Sequence, residues 1–334
     1  MNCEFEDNIL TIQDPDFNKT ALEIFKYQYH HNKIYRQFAD VLRINAEQVR
    51  SIYDIPFLPI GFFKSHVIKT NDFSPEYIFE SSGTTQSVKS LHFVKKLSLY
   101  RKSFVTAFTE FYGEPEEWCI IGLLPSYLER QHSSLVMMVD ELITMSKHPA
   151  SGFYLDEHEK LYDVLQELEK KAQKCLLIGV TFGLLDFADK YSLELRNTVV
   201  METGGMKGRR EEMTREEVHE ILKTRLGVQH VHSEYGMTEL LSQAYATANG
   251  IFRCPAWMKV LVREEDDPLK VNQGNEFRNR HFITGVLNII DLANIHSCAF
   301  IATDDVGRLY ADGSFEVLGR MDSSDIRGCS LMVV

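Results

Sequence analysis

The chain has 334 residues, 44% of them hydrophobic and 25% charged, an ordinary balance for a globular protein of two or three average domains or one large layered unit. A formal charge of −12 argues against nucleic acid or an anionic membrane surface as the main partner, since both favour a basic face. The longest apolar runs, such as 118–124 and 175–180, are too short to span a bilayer, and Met1-Asn2-Cys3-Glu4 lacks a secretory charge pattern, so a cytoplasmic location is expected.

In chain order, residues 17–28 and 34–42 carry apolar side chains at three-and-four spacing and predict two helices, which look peripheral. Asp54-Ile55-Pro56-Phe57-Leu58-Pro59 breaks that pattern. From about Ser98 helix-like and strand-like segments alternate: helices over 97–111, 133–145 and 159–174, strands over 118–124, 175–182, 198–201 and 229–231. Thr214 and Glu217 form a capping-box pattern, with Val218, Ile221, Leu222 and Leu226 on one face and Gly227 as the stop, which predicts a helix. A helical run is also expected over 240–247. Continuous apolar strands between amphipathic helices imply an α/β fold with a largely parallel sheet covered on both faces. After Met258 the signals are short strands, ending in a hairpin around Asp312-Gly313 between 306–310 and 314–318. The expected division is 1–257 for a helical region plus layered α/β core, 258–322 for a smaller β subdomain, and 323–334 for a tail with Cys329. The six cysteines have no paired or metal-like spacing and read as reduced thiols.

Three stretches suit a nucleotide. Ser81-Ser82-Gly83-Thr84-Thr85, followed by Lys89, gathers hydroxyls, a glycine and a cation, as a phosphate chain requires; the same letters also make a surface turn. Tyr235-Gly236-Met237-Thr238-Glu239 joins an aromatic face to a hydroxyl and a carboxylate, suited to a base, an α-phosphate and Mg²⁺ respectively. Asp305 and Arg320 stand on either side of the hairpin, where an acid and a cation can grip a ribose and a phosphate. Gly204-Gly205 makes a tight bend before Lys207, which either approaches the nucleotide or closes a turn. His230 and His232 alternate and would share a sheet face, without a third metal ligand at suitable spacing.

The order and gaps of these blocks resemble the adenylate-forming superfamily of acyl-CoA synthetases, peptide-synthetase adenylation domains and luciferases. Ile55-Pro56-Phe57-Leu58-Pro59-Ile60-Gly61-Phe62-Phe63-Lys64, Gly122-Leu123-Leu124-Pro125-Ser126-Tyr127 and Gly204-Gly205-Met206-Lys207 resemble, within it, the acyl-protein synthetase of bacterial bioluminescence and its relatives. The resemblance runs from about Ile55 to Cys329. It implies the superfamily's large-domain fold without its mobile C-terminal domain, whose catalytic lysine would then have to be replaced. It also implies ATP and Mg²⁺ as cofactors: the loop from Ser81 to Thr85 on the β- and γ-phosphates, Tyr235 and Gly236 at the adenine, Thr238 on the α-phosphate, Glu239 on the metal, and Asp305 with Arg320 on the ribose. Gln86 and Val88 depart from the glycine and proline usual in that loop, and Asp325 lies near where a hinge lysine often falls.

The implied chemistry is activation of a carboxylic acid, a fatty acid by the resemblance, as an acyl-AMP, followed by transfer to a thiol. Cys329 resembles the family's acyl-carrying cysteine in placement, and its reach from Arg320 suffices, because nine extended residues span roughly 30 Å at most. The next acceptor would be a protein such as a reductase. Two alternatives stay open: direct transfer to coenzyme A or a carrier protein, and a non-catalytic nucleotide-binding scaffold. Leu135, Val136, Met137, Met138, Phe182 and Leu184 either line an acyl slot or form ordinary core.

Overall fold

The computed structural model describes residues 6, 8–82, 88–125, 131–204, 213–265, 267, 269–272, 277 and 280–321. Two helices, α1 (Asp14–His31) and α2 (Lys33–Val41), open the fold and meet at Asn32, whose side chain accepts from Tyr35 N at 3.0 Å and so caps α2. Contrary to the peripheral placement expected, α1 is built into the core. Phe17, Ala21, Ile24 and Phe25 are buried on one stripe, and Gln28 donates to the Asn294 and Ile295 carbonyls and accepts from Ala299 N at 2.9 Å. A helix with a wide apolar stripe must find a partner for it, and here the partner is the segment around Phe300.

Next come β1 (Leu58–Pro59), the short helix α3 (Phe62–Ser65), and an antiparallel pair, β2 (Tyr77–Glu80) and β3 (Leu91–Val94), which stands apart as a two-stranded sheet. The alternating region follows: α4 (Leu97–Tyr112), β4 (Cys119–Leu123), α5 (Ser134–Ser146), β5 (Gly152–Phe153), α6 (His158–Lys170), β6 (Cys175–Val180), α7 (Thr181–Lys190), β7 (Thr198–Thr203), α8 (Arg215–Leu226) and β8 (Val231–Tyr235). Strands β5, β4, β6, β7 and β8 lie side by side and parallel. Alternate residues feed opposite cores. Ile120, Leu176, Ile178 and Met201 join the larger core, while Ile121, Leu177 and Val200 pack with Leu161, Leu165 and Leu222 of α6 and α8 on the other face. Helix α8 is built as its caps predict: Glu217 N donates to Thr214 Oγ1 at 3.2 Å, Thr214 N to Glu217 Oε2 at 2.8 Å, and Gly227 takes a φ of 68°.

The sheet then turns antiparallel. Strands β9 (Ala244–Ala246), β10 (Phe252–Arg253), β11 (Met258–Arg263), β12 (Phe282–Asp291), β13 (Phe300–Tyr310) and β14 (Phe315–Arg320) extend it in the order β8-β9-β10-β14-β13-β12-β11, with β1 alongside β13. The strands after Met258 connect to the rest through the Phe252 and Phe315 pair and through β1 beside β13. The helix expected over 240–247 does not form. Leu240 to Ala246 are buried in succession, so no face is left for solvent, and β9 pairs with β8 instead. The Asp312-Gly313 hairpin closes as predicted: Tyr310 N donates to Ser314 O at 2.8 Å and Gly313 has a φ of 81°. Among the described residues, no helix is long and apolar enough to cross a membrane.

Candidate functional site

Asp305 occupies an interrupted stretch of β13. The β12–β13 ladder breaks between Val286 and Asn288, and the β13–β14 ladder between Val306 and Gly307, so Asp305 sits between two irregularities that re-aim its side chain. The carbonyls freed there are taken by buried side chains. Arg263 donates to Leu287 O at 3.1 Å, Asn288 Oδ1 at 2.7 Å and Thr303 O at 2.6 Å, while the Thr303 hydroxyl donates to Leu287 O and accepts from Asp305 N. Nothing in the sequence singles out Arg263, which ends a strand that already carries Lys259.

Both carboxylate oxygens of Asp305 are engaged. Oδ2 accepts from Tyr235 Oη at 2.7 Å and Oδ1 from Arg320 Nε at 2.9 Å. Asp305 is 5% exposed, whereas Arg320 extends into solvent with its side chain 74% exposed. Burial and the neighbouring Asp305 charge push the Tyr235 hydroxyl well up, so it stays a donor. The Asp305 charge likewise raises Arg320. The Tyr235 ring is held between Phe252 and Phe315, at centroid distances of 5.8 and 5.4 Å, so it meets the site chiefly through its hydroxyl. A carboxylate offers about four lone-pair directions, which leaves Asp305 free to accept from a diol as well.

Four residues beyond Tyr235, Glu239 is 5% exposed. Burial pushes its carboxyl up, against the lowering pull of the Ser90 hydroxyl and of the positive charges of Arg320 and Lys64. Lys64 ends the 55–64 block that carries the family resemblance, while the sequence gives no role to Ser90. Glu239 is thus a single buried carboxylate with a hydroxyl beside it, and among the described residues no group of three or more His, Cys, Asp or Glu side chains is arranged to hold a metal. Such a donor set suits a hard cation shared with phosphate oxygens, as Mg²⁺ commonly is, rather than a closed protein cage.

The Ser81-to-Lys89 stretch is the connection between β2 and β3. Its neck is zipped: Ser81 N donates to Ser90 O at 3.1 Å, and Ser90 N to Ser81 Oγ at 2.9 Å. Ser82 is exposed, and Lys89 pairs with Glu80 at 2.8 Å. Gly204 ends the bend after β7 with a φ of 71°. Gly236 follows β8 where a Cβ would come within 2.4 Å of Glu234 Oε1, so any larger residue requires that carboxylate to move. Gly83, Thr84, Thr85, Gly205 and Cys329 lie outside the described residues. His230 precedes β8, while His232 on it faces the Tyr112 hydroxyl at 3.2 Å. Of the candidate acyl-lining residues, Met137, Met138 and Phe182 belong to the larger core and Leu184 to the opposite one, so the six do not share one wall. Cys119 and Cys175, far apart in sequence, are partners across β4 and β6, and both are buried.

On the same side of the sheet as Met201, the tips of β7 and β8 hold a second buried acid. Glu234 is 8% exposed and accepts from the Thr203 hydroxyl, and burial pushes it up to about 7. On the other side Glu202 collects Thr181, Arg215, His219 and Ser233 as donors; burial raises its carboxyl, but these partners outweigh burial and hold it below its ordinary value.

Comparison with known proteins shows the family and the fold. The profile of a family described as acyl-protein synthetase, LuxE, matches residues 9–334. The long-chain-fatty-acid–luciferin-component ligase of Vibrio harveyi is 22% identical over 331 residues, covering 92% of this chain and 84% of that one. In fold, the chain is similar to a 2-hydroxyisobutyryl-CoA ligase solved in its postadenylation state with R3-HIB-AMP, with a TM-score of 0.65 at 12% identity over 95% of this chain and 70% of the other. It is also similar to ATP-bound MatB from Rhodopseudomonas palustris, with a TM-score of 0.51 at 15% identity over 75% of this chain. The match spans about half, 49%, of MatB's length.

Proposed function

This chain belongs to the LuxE family of acyl-protein synthetases, and we propose that it activates a carboxylic acid with ATP, forming an acyl-AMP, and passes the acyl group to a thiol. The observation that carries this reading is the meeting of Tyr235, Asp305 and Arg320, with Glu239 within reach of the Arg320 charge. Segments some seventy positions apart thereby supply the donors and acceptors that one nucleotide needs. In this reading residues 1–257 are the adenylating core and 258–322 the subdomain that completes the site.

A carboxylate resists nucleophiles because it is negatively charged and lacks a leaving group. Its attack on the α-phosphorus of ATP forms a C–O–P bond, breaks the α,β-anhydride bond and releases pyrophosphate, and the resulting mixed anhydride removes both obstacles. Charge gathers on phosphoryl oxygens in that transition state, so preorganised donors provide most of the acceleration. Asp305 accepts from the ribose hydroxyls, with Tyr235 and Arg320 fixing its orientation. Thr238 donates to the α-phosphate, and Ser81, Ser82, Gly83, Thr84, Thr85 and Lys89 surround the β- and γ-phosphates. Gly204, Gly205 and Gly236 let backbone approach closely. Glu239 would hold Mg²⁺, which when bound neutralises charge on the phosphate oxygens.

The acid is a fatty acid by kinship with the Vibrio harveyi ligase, whose name specifies one. Met137, Met138 and Phe182, all buried in the larger core, are the apolar side chains assigned to its wall. The acceptor thiol is Cys329, from which the acyl group goes on to a protein partner such as a reductase.

The test is carboxylate-dependent exchange of labelled pyrophosphate into ATP over a panel of acids, followed by intact-protein mass. Exchange with fatty acids and a mass gain of one acyl group are expected, the gain being lost in Cys329→Ser. No exchange with any acid contradicts activation; a hydroxylamine-sensitive acyl group on Cys329→Ser contradicts the carrier role alone.

A further inference from the structure

We propose that His92 is a positioning residue for the activation step, holding the Thr238–Glu239 turn against the strand that leaves the phosphate loop; this rests on the reading given above. Residues 236–243 lie between β8 and β9, outside both ladders, so their backbone groups need other partners. Besides a local bond from Leu240 N to Met237 O, those partners are side chains from elsewhere. His92 Nδ1 stands 2.8 Å from Thr238 O, Asn294 Nδ2 donates to Glu239 O at 2.7 Å, and Asp291 accepts from Leu241 N at 2.8 Å and the Ser242 hydroxyl at 2.6 Å. A carbonyl only accepts, so the proton of His92 sits on Nδ1.

The His92 bond differs from the others in what it joins. Ser90, immediately before the strand, and His92 within it are two apart and both buried, with the half-buried Leu91 between them. The Ser90 hydroxyl bears on the Glu239 carboxylate while His92 holds the Thr238 carbonyl, so this one segment grips two consecutive residues of the turn. That strand is β3, which continues from the loop whose neck Ser81 and Ser90 zip. The ring is 1% exposed and seated edge-on against Phe63 at 5.8 Å, which fixes its direction. The Ser81–Ser90 neck and the turn are therefore tied together, and the Thr238 hydroxyl and Glu239 carboxylate keep their spacing from Ser81 and Ser90. An apolar residue would fill the same space without that tie. Asn294 and Asp291 keep the turn folded when His92 is replaced.

His92→Asn, His92→Gln and His92→Leu in the full chain separate the tie from packing. An asparagine amide reaches the Nδ1 position, a glutamine amide only the Nε2 position, and leucine neither. Pyrophosphate exchange is measured for kcat and for the KM of the acid, with thermal melting alongside. We expect His92→Leu and His92→Gln to lose kcat by about tenfold or more while the acid's KM stays within about twofold. His92→Asn should return kcat to within about threefold of wild type. If His92→Leu does not fold, the asparagine and glutamine pair decides. Wild-type kcat in all variants, or losses that follow melting temperature instead of donor position, overturns the assignment. Absence of exchange in the wild type overturns the activation reading and the role of His92 with it.

Discussion

The two halves of the large sheet keep their ladders differently. From β5 to β8 the parallel pairs run without a break in register; β4 and β6 are apolar throughout, and the buried acids Glu202 and Glu234 lie at the tips of β7 and β8. In the antiparallel half, β12, β13 and β14 break register twice, and Arg263, Asn288 and Thr303 are buried beneath the breaks. The regular half provides the frame. The irregular half provides an aimed carboxylate, at the cost of extra residues whose freed carbonyls demand buried donors.

The sharpest way to break this contrast is Arg263→Met. It strands the Thr303 carbonyl and the Asn288 amide oxygen and leaves the Leu287 carbonyl only the Thr303 hydroxyl, so a loss of about 4 kcal/mol in urea unfolding is expected. Ile121→Val, in the regular half, should cost about 1 kcal/mol. Equal losses would remove the distinction between the halves.

Glu234, on the last parallel strand, probes the seam through pH. Burial lifts its carboxyl from 4.5 to about 7 in the folded protein. Below pH 4.5 both states hold the proton and the contribution to stability is complete. As pH rises the unfolded chain ionises first and binds fewer protons, so stability falls, and the loss is complete above about pH 7. The shift corresponds to about 3 kcal/mol. Glu234→Gln should therefore be more stable relative to wild type at pH 8 than at pH 4, by about that amount. A residual slope of the same sign between about pH 4 and 6 will persist from Asp291, which burial pushes up to about 6. Parallel pH profiles for the two proteins would show that burial does not raise the Glu234 carboxyl above its value in the unfolded chain.

Asp305→Asn should separate function from stability within the irregular half. Its partner Arg320 is mostly exposed, so melting should change little, while pyrophosphate exchange falls about 100-fold, or about 2.7 kcal/mol. A loss of activity matched by a loss of fold would make Asp305 structural. The smallest effect belongs to Glu80→Gln. Its pair with Lys89 is half-exposed and should be worth under about 0.5 kcal/mol in thermal melting.

What the sequence revealed, and what it did not, follows the range of the interactions. Thr214, Glu217 and Gly227 define α8 to the residue, because capping is decided within one turn of chain. Asp312-Gly313 defines its hairpin for the same reason. The 240–247 segment reads as helical by composition, yet Asp291, some fifty residues on, claims Leu241 N and the Ser242 hydroxyl, and β9 forms. Gln28 and Asn32 look like surface polar residues until the segment before Phe300 supplies their partners. At the site, Tyr235, Glu239, Asp305 and Arg320 were visible as chemistry, and of these Tyr235 and Arg320 are bonded to Asp305. Ser90, His92 and Arg263 were not, because each acts on a segment that the sequence places far away.

The most direct test of the convergence of these segments is a crystal structure with a non-hydrolysable acyl-adenylate analogue. The account predicts the ribose diol within hydrogen-bonding distance of Asp305, and the phosphate mimic between Thr238 and the β2–β3 connection. An adenosine bound away from Asp305, or an Asp305 carboxylate still closed by Tyr235 and Arg320 with the ligand elsewhere, would contradict it.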